Sequence, residues 1–551
     1  MKQRLKPLHY LVITFFIISV VKLAISLYRS SPWIVWDELA YIDGAEQIFH
    51  GHPILMTNTD YTHAYPAGYS YFIAPAFVLG GIGAVYSGML AINAFLSTAV
   101  IFPAFFISRR FLDAKTSVLL SAVIAVLPAI TLHTFAAMSE NAFVPVFLLS
   151  AWLVMKSFSD EWQGHKKIVG DVATAVSILL LVFIKATGVA MVAALFSLVL
   201  FQIVREKSVK IIWDKILVLL PFMAAIPAGA YMLWSNGSAI GYNVSSYLSR
   251  LWKPFTGVDA FVAFGRVLLS EIDYYMFASY FFFAVFSLFF VWKLKNNRCK
   301  NRDTAIVFSV YTLATAFFLA LITTVHIYRS VLTVYSRYVY PVVPVFFILG
   351  AIGIKKYLER PSSKSTKAMA VIFFSAVGLF WATFPLRGVK IVNNLDLYPI
   401  YTARPDVFVS RFTFPFFVMI ALLMCILFVV FLYFHPKLKT VLVAALLASA
   451  ALTAPALHHE FDFSVEDKEA NDVVEWVSMH ELQKVGVDRD YKNAISVRGI
   501  RSMLVFWWRG DIIYTDLANV SAEVDYVISP GNYTSQYPVI AQEDSVYLYQ
   551  I

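Results

Sequence analysis

Apolar runs about as long as a bilayer is thick alternate with short charged loops along most of the chain. The first, LVITFFIISVVKLAIS, follows the basic start MKQRLK, and comparable runs recur as far as residue 456. A hydrocarbon core about 30 Å thick needs roughly 20 residues of helix to cross it. By that measure the pattern predicts about thirteen spanning helices. They lie near residues 8–29, 85–107, 116–136, 139–156, 168–185, 187–204, 211–234, 273–293, 304–324, 338–356, 368–385, 412–434 and 439–456. The run AGYSYFIAPAFVLGGIG at 67–83 is also apolar, but it is short, glycine-rich and broken by proline, which predicts a re-entrant or interfacial segment. After residue 456 the pattern changes to a polar tail with a helical period around 466–482 and strand-like AISV, DIIYTD, VDYVIS and SVYLYQI. The expected fold is an all-α polytopic membrane module over 1–456 followed by a small soluble α/β domain over 457–551.

Charge orients this array, because lysine and arginine concentrate in the short cytoplasmic loops. With the N-terminus inside, Arg109, Arg110 and Lys115, then Lys156, Lys166 and Lys167, then Lys293, Lys295, Arg298, Lys300 and Arg302 all fall inside. Residues 30–84, 235–272, 325–337, 386–411 and 457–551 fall outside, and counting 67–83 as a span would invert every assignment. The reading is a multi-pass cell-membrane protein with a cytoplasmic N-terminus and an extracytoplasmic tail. Only 14% of the 551 residues are charged and 59% are apolar, whereas a soluble domain carries about 25% charged residues. The net charge of +9 follows from the cytoplasmic loops, so no nucleic-acid partner is implied. The first run is long enough to span and lacks a small-residue cleavage site, which makes it a retained span. Cys299 in a basic loop and Cys425 in an apolar run offer neither a disulfide framework nor metal-ligand spacing.

Candidate chemistry begins directly after the first span, in WDELAYIDGAEQIFHGHP. Asp37, Glu38, Asp43 and Glu46 stand there without a lysine or arginine among them. Asp43 and Glu46 suit a solvated outer loop. Asp37 and Glu38 sit at the mouth of the span beside Trp33 and Trp36 at interfacial depth, and adjacent side chains on a helix point in different directions. One of them can therefore face a substrate while its neighbour orients loop or backbone. Further on, YPAGYSYFIAPAF, from Tyr65, turns the loop back toward the membrane.

An Asp-Glu pair after the first span, then Tyr41, Ala45 and Gly51, then a Tyr-Pro-x-Gly-Tyr turn, resembles the GT-C superfamily of integral-membrane glycosyltransferases. The likeness is to the branch with protein O-mannosyltransferases and the lipid A aminoarabinose transferase. MSENAFVPVF, with Glu140, is similar to a second acidic position of the family; FIKATG, with Lys185, is similar to its Lys-x-x-Gly break between spans; SRYVYPVVPVF, with Arg337, is similar to its Arg-Tyr-x-x-Pro entry to a later span. Ala67 departs from the pattern, since relatives commonly carry a second proline there. The resemblance covers roughly residues 1–350 and implies a GT-C fold with an active site on the outer face. It also implies a polyprenyl-phosphate-linked sugar as donor, a lipid, glycan or protein as acceptor, and inverting transfer.

Such a transfer needs one base for the acceptor hydroxyl and cations for the phosphate that leaves. Asp37 is the candidate base, with Glu38 and Glu140 as the other acids of the site. An unpaired Glu140 at membrane depth would cost roughly 3 kcal/mol; it positions acceptor or supports Asp37, or is an ordinary helix-end acid favoured by the macrodipole. Lys185 grips the donor phosphate or snorkels to the interface. Arg337, with Arg329 and His326, forms the densest basic group of a short outer loop and suits bidentate phosphate contact, although lipid headgroups explain Arg329 and His326 equally well. Tyr41, Tyr65, Tyr69 and His63 support acceptor or loop, and Lys22 snorkels. His50, His52 and His63 match no zinc spacing, and a hard cation would prefer carboxylates. The expectation is a site without cofactor, with a divalent metal at the carboxylates as the lesser alternative. Two rival readings are a flippase of lipid-linked saccharide, with Lys22, Glu140 and Lys185 as its path, and a non-enzymatic envelope assembly protein whose tail binds partners.

Overall fold

In the computed structural model the described residues are 2–27, 32, 35–57, 65–159, 162–224, 252–296, 301–327, 333–359, 390–392, 437–461, 472–480, 482–488, 504, 506, 511–515, 524–531, 533, 536–543 and 546–551. Among them 7 helices are long and apolar enough to cross a membrane: Pro7–Ser26, Ile82–Ser108, Glu140–Phe158, His165–Ile184, Ala186–Glu206, Arg302–Val325 and Arg337–Leu358. Each answers to a predicted span, and the protein is a multi-pass membrane protein. The segment predicted not to span is the short apolar helix Gly68–Leu79, an α-helical turn continued as 3₁₀ helix from Ala74. The predicted spans at 368–385 and 412–434, and residues 225–234 of the span at 211–234, lie outside the described residues.

Two expected helices are divided. The run 116–136 forms Ala114–Ala125 and Pro128–His133; Pro128 has no N–H to donate and turns the preceding residue away from helical backbone. The run 273–293 forms Val258–Ala278 and Phe282–Asn296, and the backbone between them is left-handed at Tyr280 and Phe281. Nothing in the side chains there explains that turn. The break at Lys185 does have a cause. Its backbone is extended, and a Cβ on Gly188 would lie 2.5 Å from the Leu181 backbone, so the two flanking helices meet at a position only glycine can occupy.

By its contacts the chain forms two units. One comprises residues 1–20, 95–133 and 139–456. Its densest helix pair is Phe282–Asn296 against Val343–Leu358. Gly350 and Gly353 make that approach possible, since a Cβ on either would collide with the carbonyl oxygen of Phe283 or Phe286. Phe283 and Phe347 stack at 4.3 Å beside them. Strands β1 (Thr333–Tyr335) and β2 (Lys390–Val392) pair in parallel in the same unit.

The other unit comprises 21–94, 134–138 and 457–551. Its helix Val35–Phe49 carries Asp37 and Glu38 in the first turn, where the macrodipole favours acids. Gly44 brings that helix onto the following one, because a Cβ there would lie 2.8 Å from Ser70 Oγ. The tail is an α/β domain: helix Asp472–Met479 packs on a sheet of β3 (Lys484–Asp488), β4 (Asp511–Thr515), β5 (Tyr526–Ser529), β6 (Val539–Glu543) and β7 (Val546–Gln550). The strand order is β4-β3-β5-β7-β6, with β3, β4 and β5 parallel and β7 antiparallel to both neighbours. Val473, Val474 and Val477 of the helix meet Val485, Val487, Ile528 and Leu548 of the sheet. The patterns DIIYTD, VDYVIS and SVYLYQI became strands, whereas AISV lies outside the described residues. Strand β3, KVGVD, is not among the expected strands: it is short, its interior glycine weakens the strand signal, and it is buried on both faces although it carries only two apolar side chains.

Candidate active site

Two polar clusters stand at the predicted positions, one in each unit. In the unit that contains the first loop, the carboxylates of Asp37 and Glu38 diverge, as neighbours on a helix must. Asp37 is half-buried and accepts a hydrogen bond of 2.7 Å from the Tyr65 hydroxyl. The return of the loop aims Tyr65: Thr57 N–H donates to the Tyr65 carbonyl at 2.7 Å, and Ala67 N–H donates to the Leu55 carbonyl at 3.0 Å. Tyr41 packs between Tyr65 and Tyr69, with ring centroids at 5.6 Å and 5.1 Å. The Tyr69 hydroxyl donates to Asn93 Oδ1 at 2.8 Å, and Asn93 in turn donates to the Ala136 carbonyl at 2.9 Å.

Glu38 is fully buried, and its Oε2 accepts from the Tyr86 hydroxyl and from the Ala137 N–H, each at 2.6 Å. It therefore ties the first loop to the helix after it and to the segment 134–138. Only Asp37 of the pair keeps partial access to solvent. Asp43 and Glu46 are half-buried further along the same helix, and His50 and His52 are exposed.

The second cluster lies wholly in the unit 1–20, 95–133 and 139–456. Glu140 opens its helix and is buried. Its Oε1 accepts from Lys185 Nζ at 2.6 Å, and the Ser139 hydroxyl lies 3.2 Å from its Oε2. Lys185 Nζ also lies 4.9 Å from the centre of the Tyr338 ring, as does the Arg337 guanidinium carbon, and Arg337 Nη2 donates to the Tyr338 hydroxyl at 2.9 Å. One aromatic ring thus supports both cations, an arrangement worth more when desolvated than at a surface. Beside them the His133 imidazole stacks on Tyr340, 4.9 Å and 13° apart. Among the described residues Lys185 and Arg337 thus stand together on one ring beside the Glu140 carboxylate, and a pair of buried cations suits an anion.

Sequence reasoning did not single out Tyr86, Asn93, His133 or Tyr340, each of which reads as packing within an apolar run, and it met Tyr338 only as part of the Arg-Tyr-x-x-Pro pattern. It also passed over Glu271 and Asp273, which are buried on the helix Val258–Ala278. His63 and Arg329 lie outside the described residues. Among the described residues no three histidine, cysteine or acidic side chains are placed to hold a metal ion.

No family model and no curated protein matches this sequence. Among solved structures, the chain is similar to ArnT from Cupriavidus metallidurans in the apo state, at 14% identity over 98% of this chain and 97% of that one, with a TM-score of 0.53. It is equally similar to the same protein bound to undecaprenyl phosphate, at 13% identity, 98% and 97% coverage and a TM-score of 0.53. The chain therefore shares the fold of that protein over nearly its whole length.

Proposed function

We propose that this protein is a glycosyltransferase that moves a sugar from a polyprenyl-phosphate-linked donor to a hydroxyl of a lipid, glycan or protein acceptor on the extracytoplasmic face. The observation that carries the reading is the buried pair of cations, Lys185 and Arg337, on one tyrosine ring, with Lys185 paired to Glu140. A fold shared with a protein known bound to undecaprenyl phosphate supports it, as does the basic-loop pattern that puts these residues at outer helix ends. Arg337 supplies a planar fork and Lys185 a point charge for the phosphate.

In this reading the acceptor oxygen attacks the anomeric carbon, the bond from that carbon to the phosphate oxygen breaks, and polyprenyl phosphate departs with the bonding electrons. The hydroxyl proton passes to the Asp37 carboxylate, which Tyr65 holds in place. Phosphate is a good leaving group, so a single base suffices where glycosidases employ an acid and a base. Glu38, occupied by Tyr86 and Ala137, shapes the loop that carries Asp37.

Purified full-length protein given undecaprenyl-phosphoryl sugars and envelope acceptors should release undecaprenyl phosphate. Transport of intact donor across proteoliposomes without release would replace this reading with the flippase. Neither release nor transport would leave an assembly role.

A further inference from the structure

The cationic cluster contains one group that phosphate binding does not use. His133 is 1% exposed and ends the short helix Pro128–His133. Its Nδ1 lies 2.7 Å from the Ala129 carbonyl oxygen. That oxygen can only accept, so Nδ1 carries the hydrogen and the neutral ring presents a bare lone pair at Nε2. Nε2 has no hydrogen-bond partner among the described residues. A buried acceptor left in this state is costly, and in natural proteins such a group points to a ligand or ion that completes it.

The ring is also held rigidly. Tyr340 stacks on one face, and Asn141 Nδ2 donates to the His133 carbonyl at 2.8 Å, fixing its backbone. The charges of Glu140, Lys185 and Arg337 all act on it, so it belongs to their cluster. A phosphodiester carries no proton and would be repelled by the lone pair at Nε2. A hydroxyl is complementary, and a phosphate seated on Lys185 and Arg337 brings sugar hydroxyls within one glycosidic linkage.

We propose that His133 is a donor-sugar-binding residue, whose Nε2 accepts a hydrogen bond from a hydroxyl of the sugar attached to the polyprenyl phosphate. The inference rests on the function proposed above and adds to it a residue that distinguishes loaded from unloaded carrier.

His133→Phe preserves the stack on Tyr340 and removes both ring nitrogens, while His133→Gln returns an acceptor. Binding of undecaprenyl phosphate and of undecaprenyl-phosphoryl hexoses to the full chain in detergent provides the test. The Phe variant should bind bare undecaprenyl phosphate within about twofold of wild type, which also reports correct folding. It should bind the preferred phosphoryl hexose about tenfold more weakly, the size of one lost hydrogen bond, and Gln should recover part of the loss. Equal weakening for both ligands, or none for either, overturns the proposal. So does unchanged donor affinity with slowed transfer, which would assign the hydroxyl to the acceptor. Wild-type protein that binds no form of the carrier defeats the underlying function instead, a result separable from the others.

Discussion

Lys185 Nζ donates to Glu140 Oε1 at 2.6 Å with both side chains buried, joining the start of one helix to the residue that ends the next, 45 positions along the chain. A pair of this kind is a weak source of stability but a strong constraint, since removing one partner strands the other's charge. Glu140→Gln and Lys185→Met should each lower stability by about 3–5 kcal/mol, and the double variant should be less destabilised than the sum. Thermal unfolding in detergent would read this coupling. A phosphate role adds a second expectation: the double variant regains stability but not affinity for undecaprenyl phosphate, because the cation is still missing. Restored affinity would make Lys185 purely structural.

The two neighbouring acids of the first loop should fail in different ways. Asp37→Asn is nearly isosteric and can still receive the Tyr65 hydroxyl, yet it cannot take a proton. Turnover should fall by at least about 100-fold with folding and donor binding retained, the lower end for a lost general base. Glu38→Gln leaves a buried amide facing two donors and should appear chiefly as a loss of stability of about 1–3 kcal/mol, with activity reduced in proportion to folded protein. A folded Asp37→Asn protein that transfers sugar at nearly the normal rate would remove Asp37 from the base role.

Arg337 offers a second test of phosphate contact, because its guanidinium differs from an ammonium in shape as well as in reach. Replacement by lysine keeps the charge but loses the planar fork and its hydrogen bond to Tyr338. Donor affinity should fall in the order wild type, Arg337→Lys, Arg337→Ala, and unchanged affinity in all three would move the phosphate elsewhere.

Spans were legible because hydropathy is a local property, and the break at Pro128 has a local cause that any reading of the chain can find. The turn at Tyr280 and Phe281 has none, since both residues are compatible with helix. Within the site, Asp37, Glu140, Lys185 and Arg337 announce themselves because a charge beside an apolar run is expensive. Tyr86 and His133 are silent for the opposite reason: tyrosine and histidine are at home in such runs, and only tertiary contact reveals what their polar atoms face. Glu271 and Asp273 were missed through a boundary error. A span starting at 273 puts both at a loop end, whereas the helix runs from Val258 and buries them.

Away from the proposed site, Lys215 is buried, its Nζ 3.7 Å from Asp171 Oδ1 and donating to the Ser157 carbonyl, while the Ser157 hydroxyl donates to the same Asp171 oxygen. This triad fastens the residue after the short helix Lys210–Asp214 to two long spans. Lys215→Met should destabilise the protein by about 3–5 kcal/mol by stranding Asp171 without changing donor affinity of the folded fraction. Loss of donor affinity in well-folded Lys215→Met protein would extend the functional site to this end of the helices.

Orientation follows from charge alone and can be checked independently of chemistry. The basic residues Lys156, Lys166, Lys167 and Lys215 belong to loops or helix ends that the positive-inside rule assigns to the cytoplasm, while Glu140, Lys185 and Arg337 fall at the opposite ends of their spans. A reporter fused after Ile551, or inserted near Thr57, should therefore be extracytoplasmic, and one inserted near Lys166 cytoplasmic. The comparison is informative because an error of one span between Thr57 and Ile551 would put the two outer reporters on opposite sides. Cytoplasmic labelling after Ile551 with extracytoplasmic labelling near Thr57 would mean that the predicted count of spans is wrong by an odd number. Cytoplasmic labelling near Thr57 would invert the first loop and remove Asp37 from any reaction on the outer face.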